Sequence, residues 1–270
     1  MPELPEVETT RLGLLPRLQG RRLRQIIVRN ARLRWPVPDD LAPQFIGNTL
    51  HDLTRRGKYL LFDFGSVTQI VHLGMSGSLR FVDATEPCTI HDHIDWVFDD
   101  GTVLRLRDPR RFGAVLWAAD ASQHPLLAKL GPEPLGAHFN AQYLYAQSRN
   151  RSIATKQLIM DGHVVVGVGN IYASEALFHA GIRPGTAAGK LTRPACERLV
   201  TAIQRVLTAA IAAGGSSLRD YVQTSGELGY FQLHTRVYDR AGLACKVCNT
   251  PIRRIVQGQR ASFYCPQCQR

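Results

Sequence analysis

The chain has 270 residues, 44% hydrophobic and 20% charged, with 33 Lys or Arg against 22 Asp or Glu and a formal net charge of +11. That apolar share fills one large core or two ordinary ones and excludes wholesale disorder. Like charge in excess opposes compaction, so its use is attraction to a polyanion; no run of about 18 apolar residues is present to span a bilayer, and nucleic acid leads over membrane.

The first residues, MPELPEVETT, are acidic and broken by prolines, unlike a secretory signal or an Arg-rich transit peptide. A short helix is predicted over residues 7–15, ended or kinked by Pro16. The tract from Arg17 to Arg34 holds seven arginines and no acid. Short alternating or apolar runs follow at 59–64, 69–73, 79–82, 94–98, 103–107 and 114–117, and Asp99-Asp100-Gly101 marks a hairpin. Strands this short and this frequent predict a β-sandwich or a barrel-like pair of sheets.

Breakers crowd residues 130–136 and serve as a linker, after which the period becomes helical. The stretch 161–170 separates two shorter helical segments. Thr192 then caps a helix with Pro194 in its first turn; Leu199, Ile203, Val206, Leu207 and Ala210 share one face, and Gly214-Gly215 stops it.

Near the C-terminus, Cys245-x-x-Cys248 and Cys265-x-x-Cys268 stand sixteen residues apart, the spacing of a zinc site. Two thiolates on a tight knuckle share one tetrahedral Zn²⁺, and a hairpin from 252–256 and 261–264 brings two knuckles together. Four thiolates leave no open coordination position, so one structural Zn²⁺ is expected; redox or unpaired dithiols are the alternative. Cys88 and Cys196 are expected to be ordinary packing residues. From Gln232 to Arg270 there are seven Lys or Arg against the single acid Asp239, which points to a DNA-contacting finger with Arg260 at or near its tip.

If Met1 is removed, Pro2 presents a free secondary amine. An α-amino group titrates near 7.7–8.0, far below lysine, so a useful fraction is nucleophilic at neutral pH. Glu3, Glu6 and Glu8 place carboxylates beside it for proton handling, although acids in a first helical turn also simply suit the helix dipole.

The whole chain resembles the bacterial formamidopyrimidine-DNA glycosylases, a family of 8-oxoguanine DNA glycosylase/AP lyases. The resemblance rests on Pro2-Glu3-Leu4-Pro5-Glu6-Val7-Glu8-Thr9, Gly57-Lys58-Tyr59-Leu60, His72-Leu73-Gly74-Met75-Ser76-Gly77, Asp108-Pro109-Arg110-Arg111-Phe112-Gly113, Val166-Gly167-Val168-Gly169-Asn170-Ile171-Tyr172 and the finger with Arg260. It implies an α+β fold in three regions: a catalytic β-sandwich with flanking helices over 1–130, a helix–two-turns–helix domain over 131–225, and a four-cysteine zinc-finger hairpin over 236–270. It implies a bifunctional enzyme of base excision repair that excises oxidised purines (8-oxoguanine, formamidopyrimidines) and then cuts the strand by β,δ-elimination.

The resemblance also assigns roles. Pro2 attacks C1′, Glu3 is the general acid/base of ring opening, Lys58 donates a proton or holds a phosphate, and Arg260 grips the phosphate beside the lesion. A flipped base leaves a gap, which Met75, Arg110 and Phe112 are expected to fill. Asn170 is expected at a helix N-terminus that binds phosphate. His91, Arg151, Lys156 and Tyr238 match further DNA contacts, and the loop 224–230 resembles a lid over the flipped base. The expected partner is double-stranded DNA carrying oxidised bases or abasic sites, met by a monomer in the bacterial cytoplasm, at the nucleoid, with no membrane contact. Two alternatives stand beside it: an endonuclease VIII-like glycosylase for oxidised pyrimidines, and a non-enzymatic zinc-finger DNA-binding protein.

Overall fold

The computed structural model describes residues 2–215 and 235–270. The described chain forms two compact units, one of residues 2–128 and 213–215, the other of 129–212 and 235–270. Among the described residues, no helix is long and apolar enough to cross a membrane.

The first unit opens with helix α1, Leu4–Leu18. It starts earlier than the apolar spacing predicts, because the backbone N–H of Glu3 donates to Glu6 Oε2 at 2.8 Å and Pro5 stands in the first turn, where a missing N–H is harmless. It also runs through Pro16 rather than ending there. The carbonyl that loses its usual partner belongs to Leu12, a residue 48% exposed, so the proline falls on the solvent side of the helix while Leu14 and Leu18 remain buried.

Two four-stranded antiparallel sheets follow. One has the order β1 (Leu23–Val28), β6 (Asp92–Phe98), β7 (Val103–Arg107), β5 (Ser78–Val82); the other has β2 (Asp52–Arg56), β3 (Tyr59–Asp63), β4 (Thr68–His72), β8 (Ala114–Ala118). Their inner faces close on one core: Leu23, Ile94, Leu104 and Leu106 from the first meet Leu53, Leu60, Val71 and Val115 from the second. Phe62 and Trp96 stack between the sheets with ring planes 7° apart. This is the expected sandwich. Strands β1 and β2 and the short helix α2 (Leu41–Phe45) escape sequence inspection because charge masks their alternation.

Much of the basic tract serves the fold. The Arg17 guanidinium lies 3.7 Å from the centroid of the Phe81 ring, Arg21 pairs with Asp100, and Arg22 Nε donates to the Gly47 carbonyl. Arg29 joins a buried pair in which Arg105 Nε donates to Asp95 Oδ1 and Arg105 Nη2 to Asp95 Oδ2, both at 2.9 Å. Burial alone raises the Asp95 carboxyl, but the two guanidiniums outweigh it and hold it below its ordinary value. Asp95→Asn strands a buried guanidinium and costs about 3–5 kcal/mol in urea unfolding. The gap to wild type is full at neutral pH and narrows below about pH 4, as the wild-type carboxylate protonates. An unchanged midpoint at pH 7 would refute it.

The second unit contains α3 (Ala141–Ser148), α4 (Thr155–Met160), α5 (Asn170–Ala180) and α6 (Arg193–Ala212), followed by the hairpin β9 (Arg253–Gln257) and β10 (Arg260–Tyr264). α6 turns one apolar stripe inward, as its spacing predicts. The finger has a small core, Val237, Ile252 and Phe263, which packs on Phe178 of α5.

Candidate nucleic-acid interface and metal centre

Pro2 and Glu3 are both buried where α1 begins. Glu6 is buried as well and holds the Glu3 backbone. Glu8 is occupied differently from the expectation of proton handling. It receives Arg11 at 2.7 Å and Arg55 at 2.9 Å and ties α1 to β2; burial raises its carboxyl, but both arginines draw it below the ordinary value. Met1 and the expected lid 224–230 lie outside the described residues.

Lys58 sits half-buried in the turn between β2 and β3. Nearby His72 has a role the motif alone did not reveal. Its Nδ1 accepts the Gly74 N–H at 3.0 Å, which leaves the proton on Nε2. Burial, then the charges of Lys58 and Arg34, lower its pKa to about 4. The ring is therefore a neutral N–H donor at physiological pH.

Met75, Arg110 and Phe112 are brought together by two loops, 73–77 and 108–113. Arg110 and Phe112 are exposed, Met75 is half-buried, and the Arg110 guanidinium lies 4.9 Å from the Phe112 ring centroid. A Cβ at Gly74 would stand 2.3 Å from the Phe112 backbone, so only glycine lets the loops touch. His91 is half-buried beside this pair, its carbonyl accepting the Asp108 N–H.

In the second unit Asn170 begins α5. Lys156, expected to meet DNA, is only 2% exposed. Its ammonium donates to Asn170 Oδ1 at 2.6 Å, to the Ala261 carbonyl at 3.0 Å and to Ser262 Oγ at 2.8 Å. Three protons meet three acceptors, so Lys156 braces α4, α5 and the finger, and it leaves the Asn170 amide nitrogen as the group available to a ligand. Lys156→Met removes three charge-assisted bonds and costs about 1.5–3 kcal/mol in urea unfolding. A midpoint equal to wild type would contradict this brace.

Arg260 is exposed at the first position of β10. The two turn residues before it, Gly258 and Gln259, both have positive φ (52° and 65°), the signature of a tight two-residue hairpin that fixes where Arg260 emerges. A cleft of about 190 Å³ lies between Arg260, Gln257 and the buried Lys156. Arg151 is half-exposed, 4.0 Å from Asp161. The Tyr238 ring packs edge-on against Phe263 at 5.3 Å, and its backbone N–H is one of three that Glu175 accepts, with those of Arg236 and Val237. Burial pushes the Glu175 carboxyl up against the pull of those three bonds. Nothing in the local pattern around Glu175 announced this arrangement, because its partners are some sixty residues away in sequence.

The four Sγ atoms of Cys245, Cys248, Cys265 and Cys268 lie within 4.8 Å of one another. Around a tetrahedral Zn²⁺ with bonds of about 2.3 Å, sulfurs stand about 3.8 Å apart. The Cys245–Cys268 and Cys248–Cys265 separations, 3.9 and 3.4 Å, fit that frame. Backbone N–H groups of Val247 and Cys268 point at Cys245 and Cys265 Sγ, as suits thiolate ligands. The set holds one structural zinc.

Residues 1–115 match the formamidopyrimidine-DNA glycosylase N-terminal domain, 130–222 its H2TH domain, and 242–270 the zinc finger found in FPG and IleRS. A formamidopyrimidine-DNA glycosylase of Thiobacillus denitrificans is 73% identical over all of both chains. The crystal structure of the MutM (Fpg) protein from Thermus thermophilus superposes with a TM-score of 0.89 at 39% identity, covering 99% of this chain and 98% of that one. The Lactococcus lactis Fpg mutant G226P, in complex with Fapy-dG-containing DNA, superposes with a TM-score of 0.92 at 32% identity over the full length of both.

Proposed function

The chain belongs to the formamidopyrimidine-DNA glycosylase family, and on that premise we propose that it excises oxidised purines from double-stranded DNA and then cuts the strand at the resulting abasic site. Pro2, once Met1 is removed, attacks C1′ of the lesion nucleotide; the C1′–N bond breaks, and the base leaves with the bonding pair and takes up the proton that the amine gives up. The Glu3 carboxyl gives a proton to the sugar ring oxygen as the ring opens, leaving an iminium between proline nitrogen and C1′. That electron sink lets a C2′ proton depart and the 3′ phosphate leave, and a second elimination frees the 5′ phosphate. Lys58 and the neutral His72 lie beside one another, Lys58 as a proton source and the His72 N–H as a hydrogen-bond donor to a phosphate oxygen, and Arg260 offers a planar fork to phosphate.

The observation that carries this reading is the corner at Pro2 and Glu3. Both residues are buried, and the Glu3 backbone is locked to Glu6. Once Met1 is removed, this corner presents a secondary amine next in sequence to a buried carboxyl, which imine chemistry requires and a purely DNA-binding finger protein does not need. Met75 and Phe112 fill the space of the flipped base and Arg110 meets the orphaned cytosine. Asn170, His91, Arg151 and Tyr238 steady the backbone, with Lys156 acting through Asn170. The three regions 1–130, 131–225 and 236–270 serve as the catalytic sandwich, the H2TH module and the zinc finger. The matched relatives are bacterial, which supports action on nucleoid DNA in the cytoplasm.

Borohydride reduction of the enzyme on abasic-site DNA, followed by proteolysis and mass spectrometry, tests the assignment. The adduct is expected on the peptide that begins at Pro2. An adduct on Lys58 or any other lysine would overturn it.

A further inference from the structure

We infer that Asp108 is a positioning residue, a buried clamp that holds the two wedge loops in working geometry before DNA arrives. This rests on the proposed wedge role of Met75, Arg110 and Phe112.

Asp108 is fully buried. Its Oδ1 accepts the Ser76 hydroxyl at 2.8 Å and its Oδ2 accepts the Gly113 N–H at 2.8 Å. Ser76 Oγ in turn accepts the Arg110 N–H at 3.2 Å. One carboxylate thus stitches the loop carrying Met75 to both ends of the loop carrying Arg110 and Phe112. The Asp108 carbonyl is held too. It takes the Arg111 N–H, and it takes a hydrogen bond from His93 Nε2, which must be the donor because a carbonyl oxygen only accepts. His93 is itself buried.

Something must hold this loop, because its backbone is strained. Arg111 has φ of +56°, a left-handed conformation costly for a residue with a side chain. The strain aims Arg110 and Phe112, both exposed, away from the scaffold. The loop contains nothing apolar and buried that would keep it there; the carboxylate does. An exposed probe on a floppy loop would lose most of its insertion free energy to ordering, and preorganisation removes that cost.

The test compares Asp108→Asn and Ser76→Ala with wild type, in single-turnover excision of 8-oxoguanine from two duplexes. In one the lesion is paired with cytosine; in the other it lies unpaired in a bubble, where no wedge is needed. In Asp108→Asn a neutral amide replaces the charged acceptor at the same shape, so the bonds to Gly113 and Ser76 lose about half their strength; Ser76→Ala breaks the link to Arg110 with little change of volume. The ratio of paired to unpaired rate is expected to fall about 10-fold in each variant. A merely structural contribution would lower both rates by one factor and leave the ratio at its wild-type value, which overturns the clamp. Should Asp108→Asn fail to fold, Ser76→Ala decides alone. Met75→Ala/Phe112→Ala is run alongside. If that double variant keeps the wild-type ratio, the wedge reading itself falls and the clamp with it; if it lowers the ratio while Asp108→Asn and Ser76→Ala do not, only the clamp falls.

Discussion

Pro2→Gly loses the borohydride-trapped adduct and slows excision of 8-oxoguanine at least about 100-fold, the cost of misplacing a reacting group by about 1 Å. Glycine keeps an α-amine of similar basicity, so the loss comes from geometry and valence. The pyrrolidine ring fixes φ and hence the direction of the nitrogen lone pair, and only a secondary amine leaves a permanently charged iminium to draw electrons from C2′. The ring is also buried, so its removal opens space and frees the terminus. DNA affinity and its salt dependence should stay near wild type, since no phosphate-neutralising cation is touched. Chain that retains Met1 carries an amide at this nitrogen and should be absent from the trapped species in intact-mass spectra. Normal trapping by Pro2→Gly would remove Pro2 from the mechanism.

Removal of zinc has the next largest effect. The finger is a two-stranded hairpin with a core of three apolar side chains besides its cysteines, too little to order it unaided. Structural zinc sites of this kind supply about 10–16 kcal/mol of apparent binding free energy, nearly all of it folding energy. Cys245→Ser leaves three thiolates around a ligand position that is wholly buried. The variant should bind less than one zinc per chain, and the hairpin that aims Arg260 should unfold. DNA affinity should drop, and the slope of log affinity against log salt should flatten by about one unit for each phosphate the finger no longer neutralises. The sandwich has its own core and should still unfold cooperatively. A Cys245→Ser protein with full zinc content and an unchanged salt slope would contradict this account.

Both effects were foreseeable from residue identity because they are local chemistry. The cysteine spacing encodes a tetrahedral site within a few residues of chain, and the position of Pro2 beside Glu3 is a fact of sequence. Periodicity likewise located strands β3 to β8, the inward stripe of α6 and the hairpin tip before Arg260, since each depends on neighbours two to four residues apart. Tertiary structure alone decided the fate of the polar groups. Lys156, a surface cation by composition, is buried because Asn170, Ala261 and Ser262 converge on its three protons from 14, 105 and 106 residues away. Glu8 is claimed by Arg55, Glu175 by three backbone amides, and Asp108 by a serine on another loop. Apolar burial follows a pattern written along one element; a buried charge is set by partners that only the folded chain brings within about 3 Å.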